Sequence, residues 1–90
     1  MLTHEQVVDD EINKIVSVIL SEVPALEIYL FGSFVNGTAN SDSDYDFYVV
    51  VPDNLQPIET TWLINGAIRK NMKKTRRIDM LVGVLLLFWR

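Results

Sequence analysis

The stretch from Leu30 to Val51, LFGSFVNGTANSDSDYDFYVVV, constrains this chain more than any other. It reads as an apolar strand ending in Gly32-Ser33, a small polar loop, and a second apolar strand opened by Asp44-Tyr45-Asp46. Side chains alternate across a strand, so residues two apart share a face. Tyr45, Phe47, Val49 and Val51 therefore face one way, and Asp44, Asp46, Tyr48 and Val50 the other. Neighbouring carboxylates repel one another and are costly to desolvate. A cation between them relieves both effects, and an all-oxygen donor set favours a hard one such as Mg²⁺.

The flanking segments supply the rest of a small α/β domain. Thr3 to Ser21 is expected to be helical, with Thr3 and Gln6 spaced as a capping box and Val8, Ile12, Ile15 and Ile19 at helical spacing. Glu5, Asp9, Asp10 and Glu11 lie toward its positive end. His4 in that first turn reads as a solvated surface residue. Past Pro24, Ala25 to Phe31 alternates as a strand. Gly32 marks a sharp turn or a close approach of backbone to another group. Phe34 to Gly37 can form a helical turn whose N-terminal N–H groups, with the Ser33 hydroxyl, make an anion site. A plain Gly-Ser turn is the alternative, and the adjacent carboxylates weigh against it, because phosphate donors and metal carboxylates belong to one chemistry.

Pro52 stops the second strand, and Pro57 suits the first turn of a helix running from Ile58 to about Lys73. Arg69, Lys70, Lys73, Lys74, Arg76 and Arg77 form a basic cluster at its end. That cluster is either a solvated helix terminus or a contact to triphosphate, acceptor or acidic partner. Ile78 to Leu87 is expected to be the third strand, with Asp79 interrupting an apolar run. Asp79 is expected either to share a cation with Asp44 and Asp46 or to sit at a strand edge paired with Arg76 or Arg77. Asp42-x-Asp44-x-Asp46 imitates the opening of a calcium loop, but Phe47 stands where such a loop needs glycine, so Asp42 reads as a loop-capping residue.

The combination of Gly32, Ser33, Gly37, Ser43, Asp44 and Asp46, with Asp79 later in RRIDMLV, resembles the signature of the nucleotidyltransferases of the DNA polymerase beta superfamily. The short form is most similar to the minimal nucleotidyltransferases often encoded beside a HEPN-domain protein, and the resemblance covers roughly Ala25 to Val82. It implies a small mixed β-sheet with helices packed on one face. It also implies transfer of a nucleoside monophosphate from a nucleoside triphosphate, with ATP the expected donor, to an acceptor hydroxyl. Asp44, Asp46 and Asp79 are then the catalytic and metal-holding residues for two Mg²⁺ ions. Gly32, Ser33 and Ser43 are then the nucleotide-binding residues. The rival expectation is a non-catalytic antitoxin or binding module that masks a HEPN-type partner.

Ninety residues suffice for one domain with a modest core, taken as residues 1–90. The chain has no cysteine and one histidine, which removes disulfides, thiol nucleophiles and the usual zinc sites. Met1 to Glu11 is polar and acidic rather than a signal peptide, and the apolar end from Met80 to Trp89 is too short to span a membrane. A cytoplasmic protein with no membrane contact is the default expectation. Residues 1–68 carry eleven acidic side chains and one basic, whereas residues 69–90 carry seven basic and one acidic. Such asymmetry suits a local anion site better than general nucleic-acid affinity, and direct nucleic-acid binding is left open. The apolar end is also a candidate partner surface.

Overall fold

The structure, a computed structural model, describes residues 4–40, 42–72 and 76–84. Its elements run α1 (His4–Glu22), β1 (Glu27–Phe31), α2 (Ser33–Asn36), β2 (Tyr45–Val51), α3 (Pro57–Asn71) and β3 (Ile78–Val84). This is the expected order, and β2 has the expected bounds. The Thr3–Gln6 capping box, Lys73 and Lys74 of the basic cluster, and the apolar end beyond Val84 lie outside the described residues, as do the side chains of His4 and Val8.

The three strands form a mixed sheet in the order β1-β2-β3. β1 and β2 are antiparallel, with Tyr29 opposite Tyr48 and Phe31 opposite Asp46. β2 and β3 are parallel, with Asp46 opposite Asp79 and Tyr48 opposite Leu81. A parallel neighbour requires a crossover, and α3 provides it. Strand pairing begins later than expected at β1. The Ala25 N–H donates to the Val23 carbonyl at 2.9 Å, closing the end of α1, and the ladder is first joined by Leu26, whose N–H donates to Val50.

Alternation on β2 decides where the core lies. Tyr45, Phe47, Val49 and Val51 are buried against Ile15, Val18, Ile19 and Val23 of α1 and its C-terminal connection. Ile64, Ala67, Ile68 and Met72, from α3 and its C-terminal cap, close the same layer. Ile28 and Leu30 of β1, and Ile78, Met80, Val82 and Val84 of β3, pack against its edges. Fully burying one such aliphatic or aromatic side chain is worth about 1.5–3 kcal/mol. The Tyr45 hydroxyl resolves the one polar atom carried into this layer by β2, donating to Glu11 Oε1 of α1 at 2.5 Å. Burial first, then that hydrogen bond, pushes the phenol up to about 12, so it remains a donor at neutral pH.

Helices α1 and α3 lie on one face of the sheet. The other face carries Glu27, Tyr29 and Phe31 from β1, Asp46, Tyr48 and Val50 from β2, and Asp79, Leu81 and Gly83 from β3. Tyr29 and Tyr48 stack with ring centroids 6.3 Å apart. The Tyr48 phenol reaches across β3 into the space that a side chain at position 83 would take, which glycine leaves empty. Among the described residues no helix is long and apolar enough to cross a membrane.

Candidate active site

The carboxylates cluster at the N-terminal ends of β2 and β3 on the open face, beside Phe31 at the C-terminal end of β1. Asp46 and Asp79 are register partners on adjacent strands. Burial first, then the Asp79 charge and a hydrogen bond between the two carboxyls, and last the Asp44 charge, hold Asp46 above its ordinary range. Asp44 precedes the first residue of β2 and is half-buried. The structure thus makes an intimate pair of Asp46 and Asp79, with Asp44 near enough to act on Asp46 through its charge.

Asp79 has the strand-edge position and the Arg77 contact of the second expectation, alongside its pairing with Asp46. Its side chain is 54% exposed, so the high cost of burying a lone carboxylate does not apply to it. The reason is topological: β3 is an edge strand, and position 79 lies on the uncovered face. Arg77 Nε lies 3.7 Å from Asp79 Oδ1, and at 78% exposure its guanidinium is a loose surface partner. Arg76 pairs with neither carboxylate. Its Nη1 donates to the carbonyls of Asn40 at 2.7 Å and Ser43 at 3.2 Å. Its guanidinium lies over Phe34, 5.0 Å from the ring centroid.

Gly32 shows what the Gly-Ser pair is for. Its φ of 86° and ψ of −151° are open to glycine and strained for other residues. A Cβ there would also meet Asp46 Oδ2 at 2.5 Å. The backbone of the turn therefore rests against the very carboxylate that Asp79 and Asp44 perturb. The Gly32 carbonyl accepts from the N–H groups of Val35 and Asn36, which closes α2, and Gly37 ends it in the left-handed conformation. Ser33 is half-buried at the first position of α2, with no side chain capping the turn.

The loop from Thr38 to Ser43 is organised by residues other than Asp42. The Asp42 N–H donates to Asn40 Oδ1 at 2.8 Å, and the Asn40 N–H donates to Ser43 Oγ at 2.9 Å. Asn40 is thus the capping side chain, and the Ser43 hydroxyl is engaged in closing the loop. β2 starts directly after Asp44 and runs straight to Val51, so no calcium-type loop forms around Asp42, Asp44 and Asp46.

A depression of about 440 Å³ lies over the carboxylate pair, lined by Phe31, Asp46, Phe47, Asp79, Met80 and Leu81. A second concavity of about 460 Å³ lies on the helical side, between the end of α1 and α3, and holds no carboxylate pair. Chemistry favours the first. Among the described residues no group of three His, Cys, Asp or Glu side chains is close enough to enclose a metal ion. A hard divalent cation needs less: Mg²⁺ is ordinarily held by one or two carboxylates, with water and substrate phosphate oxygens completing its shell. An all-oxygen pair in which burial and then mutual repulsion already raise Asp46, with backbone packed beside it and open space above, fits that requirement.

The nucleotidyltransferase domain family matches residues 12–85, and the chain belongs to that family. Its fold and motifs are those of a minimal nucleotidyltransferase domain of the DNA polymerase beta superfamily. Protein adenylyltransferase MntA of Shewanella oneidensis is 43% identical over 47 residues, which is 51% of this chain and 34% of that protein. The matched stretch thus spans about a third of that relative's length. No solved structure matches the chain.

Proposed function

We propose that this chain transfers a nucleoside monophosphate, with ATP the favoured donor, to a hydroxyl on a protein acceptor, with release of pyrophosphate. The observation that carries the reading is the Asp46–Asp79 pair, in register on the open face and packed against the Gly32 turn. The name of the Shewanella relative, protein adenylyltransferase, favours a protein as acceptor. A HEPN-domain protein is the acceptor to try first, because the minimal nucleotidyltransferases that the sequence resembles are often encoded beside one.

Asp44, Asp46 and Asp79 are the residues that would hold Mg²⁺, the first just before β2, the second in β2 and the third in β3. Bound there, the metal supplies charge stabilisation for the transferring phosphoryl group. Asp79, exposed on the edge strand, is placed to take the proton as the acceptor oxygen bonds to the α-phosphorus and the α–β phosphoanhydride breaks. The Gly32-Ser33 backbone and the Ser33 hydroxyl hold the β and γ phosphates as they depart.

The alternative, a masking module without chemistry, draws support from apolar side chains left outside the core on the helical side. Leu20, Ile58, Leu63 and Trp62 are exposed there, Trp62 to 71%. The two readings separate in one experiment. The chain is incubated with labelled nucleoside triphosphates, Mg²⁺ and the HEPN-type partner, alongside Asp79→Asn. Label on the partner that disappears with Asp79→Asn is the expected result. No label, with full neutralisation of the partner by an Asp46→Asn, Asp79→Asn double variant, would establish masking instead.

A further inference from the structure

We infer that Arg76 is a positioning residue that sets the phosphate-binding turn and Asp44 in place relative to one another. The inference rests on the transferase reading for its functional consequence and on the geometry alone for its structural content. One guanidinium, carried on the segment that leads into β3, touches both of the other segments that hold candidate site residues. Its Nη1 bonds the carbonyl of Ser43, whose next residue is Asp44. It lies over the ring of Phe34, whose preceding residue is Ser33. Its own backbone leads into β3 three positions before Asp79, and the neighbouring Arg77 carbonyl accepts the Tyr45 N–H at 2.9 Å.

Each contact is of a kind suited to arginine. The second carbonyl, that of Asn40 at 2.7 Å, belongs to the residue whose side chain caps the loop and whose N–H the Ser43 hydroxyl accepts. One end of the planar fork thus gathers both ends of the turn that delivers Asp44. The flat face meets Phe34, which in turn packs on Tyr45 with centroids 4.7 Å apart, while Tyr45 is fixed by Glu11. Lysine has a point charge and rotating donors, and cannot bond two carbonyls while lying flat on a ring. Asp46 and Asp79 have a different support, since register pairing within the sheet holds them. Removal of the guanidinium should therefore move Ser33 and Asp44 and leave the Asp46–Asp79 pair where it is.

The test compares wild type, Arg76→Met and Arg76→Lys by backbone amide shifts, Mn²⁺ broadening and transfer kinetics, each below the variant's own unfolding midpoint. In Arg76→Met the Ser33 and Asp44 amides should shift together while those of Asp46 and Asp79 hold. Its Mn²⁺ broadening should persist at Asp46 and Asp79 and weaken at Asp44, and its kcat should fall by about 100-fold, the usual scale for a small misplacement of reacting groups. Arg76→Lys should recover part of the loss. Should Arg76→Met not fold, Phe34→Leu removes the ring but keeps apolar bulk, and the paired shift is expected there. Shifts confined to Asn40 and Ser43, or a kcat within about threefold of wild type, overturn the inference. If wild type transfers no nucleotide, the transferase reading fails, and the amide shifts alone decide whether Arg76 positions the turn.

Discussion

The two faces of β2 follow opposite rules on seven consecutive residues. On the helix-covered face Tyr45, Phe47, Val49 and Val51 are at most 1% exposed, and each polar atom has a partner. On the open face burial first, and then a neighbour of like charge, hold Asp46 above its ordinary range, and the backbone of Gly32 is pressed against it in a conformation that few residues tolerate. The covered face secures the fold. The open face stores repulsion that packing on the other side sustains, the pattern expected where a site is pre-arranged for a charged ligand.

The comparison can be broken most forcefully from the covered side. Phe47→Ala should cost about 3–5 kcal/mol, much of the stability of a domain this small. Chemical denaturation should show both faces lost in a single transition, and a Phe47→Ala protein with an unchanged midpoint would dissolve the contrast. Gly32→Ala strikes where the faces depend on one another. Backbone strain should cost about 1–3 kcal/mol. The new methyl group must also displace the Asp46 carboxylate, so Mn²⁺ broadening at residues 46 and 79 should fade even where the variant stays folded.

The smallest effect has the opposite sign. Asp46→Asn should stabilise the metal-free protein at neutral pH, by no more than about 1 kcal/mol because solvent screens a half-exposed carboxylate. A carboxyl raised in the folded state binds its proton more tightly there than when unfolded. Its unfavourable charge is thus felt in full above the raised value and vanishes as pH falls below the ordinary 3.8. Thermal melts in EDTA should show the advantage of Asp46→Asn at pH 7 shrinking as the pH is lowered toward 3.8. An advantage that grows on acidification would mean the carboxylate is favourably paired.

Much of this was legible in the chain. Period-two alternation after Asp44 assigned both faces of β2, and Gly32-Ser33 marked a turn that comes close to another group. The sequence could not show which group, because contact with Asp46 depends on the antiparallel pairing of Phe31 with Asp46. Asp79 was left between a shared cation site and a strand edge for a related reason: strand order, which puts β3 at an edge, is not a local property. Arg76 was visible as part of a basic cluster and as a candidate partner of Asp79, not as the organiser of a loop. Its partners lie 33 and 36 residues away and are backbone carbonyls, which have no residue-type signature. Repulsion was expected between Asp44 and Asp46, whereas register makes Asp79 the nearer like charge on Asp46.

Parallel pairing also has a kinetic side. β1 and β2 are antiparallel and near in sequence, so they can meet after a short loop closes. Asp46 and Asp79 are brought together only when β3 returns across α3 to lie beside β2. Long-range contacts of this kind form against a larger chain entropy. The ladder with the larger closure cost is the one that brings two carboxylates together, and their repulsion opposes its formation. A divalent cation bridging them would turn the opposition into attraction. The ion would then act on the rate at which β3 leaves the sheet as well as on the chemistry above it.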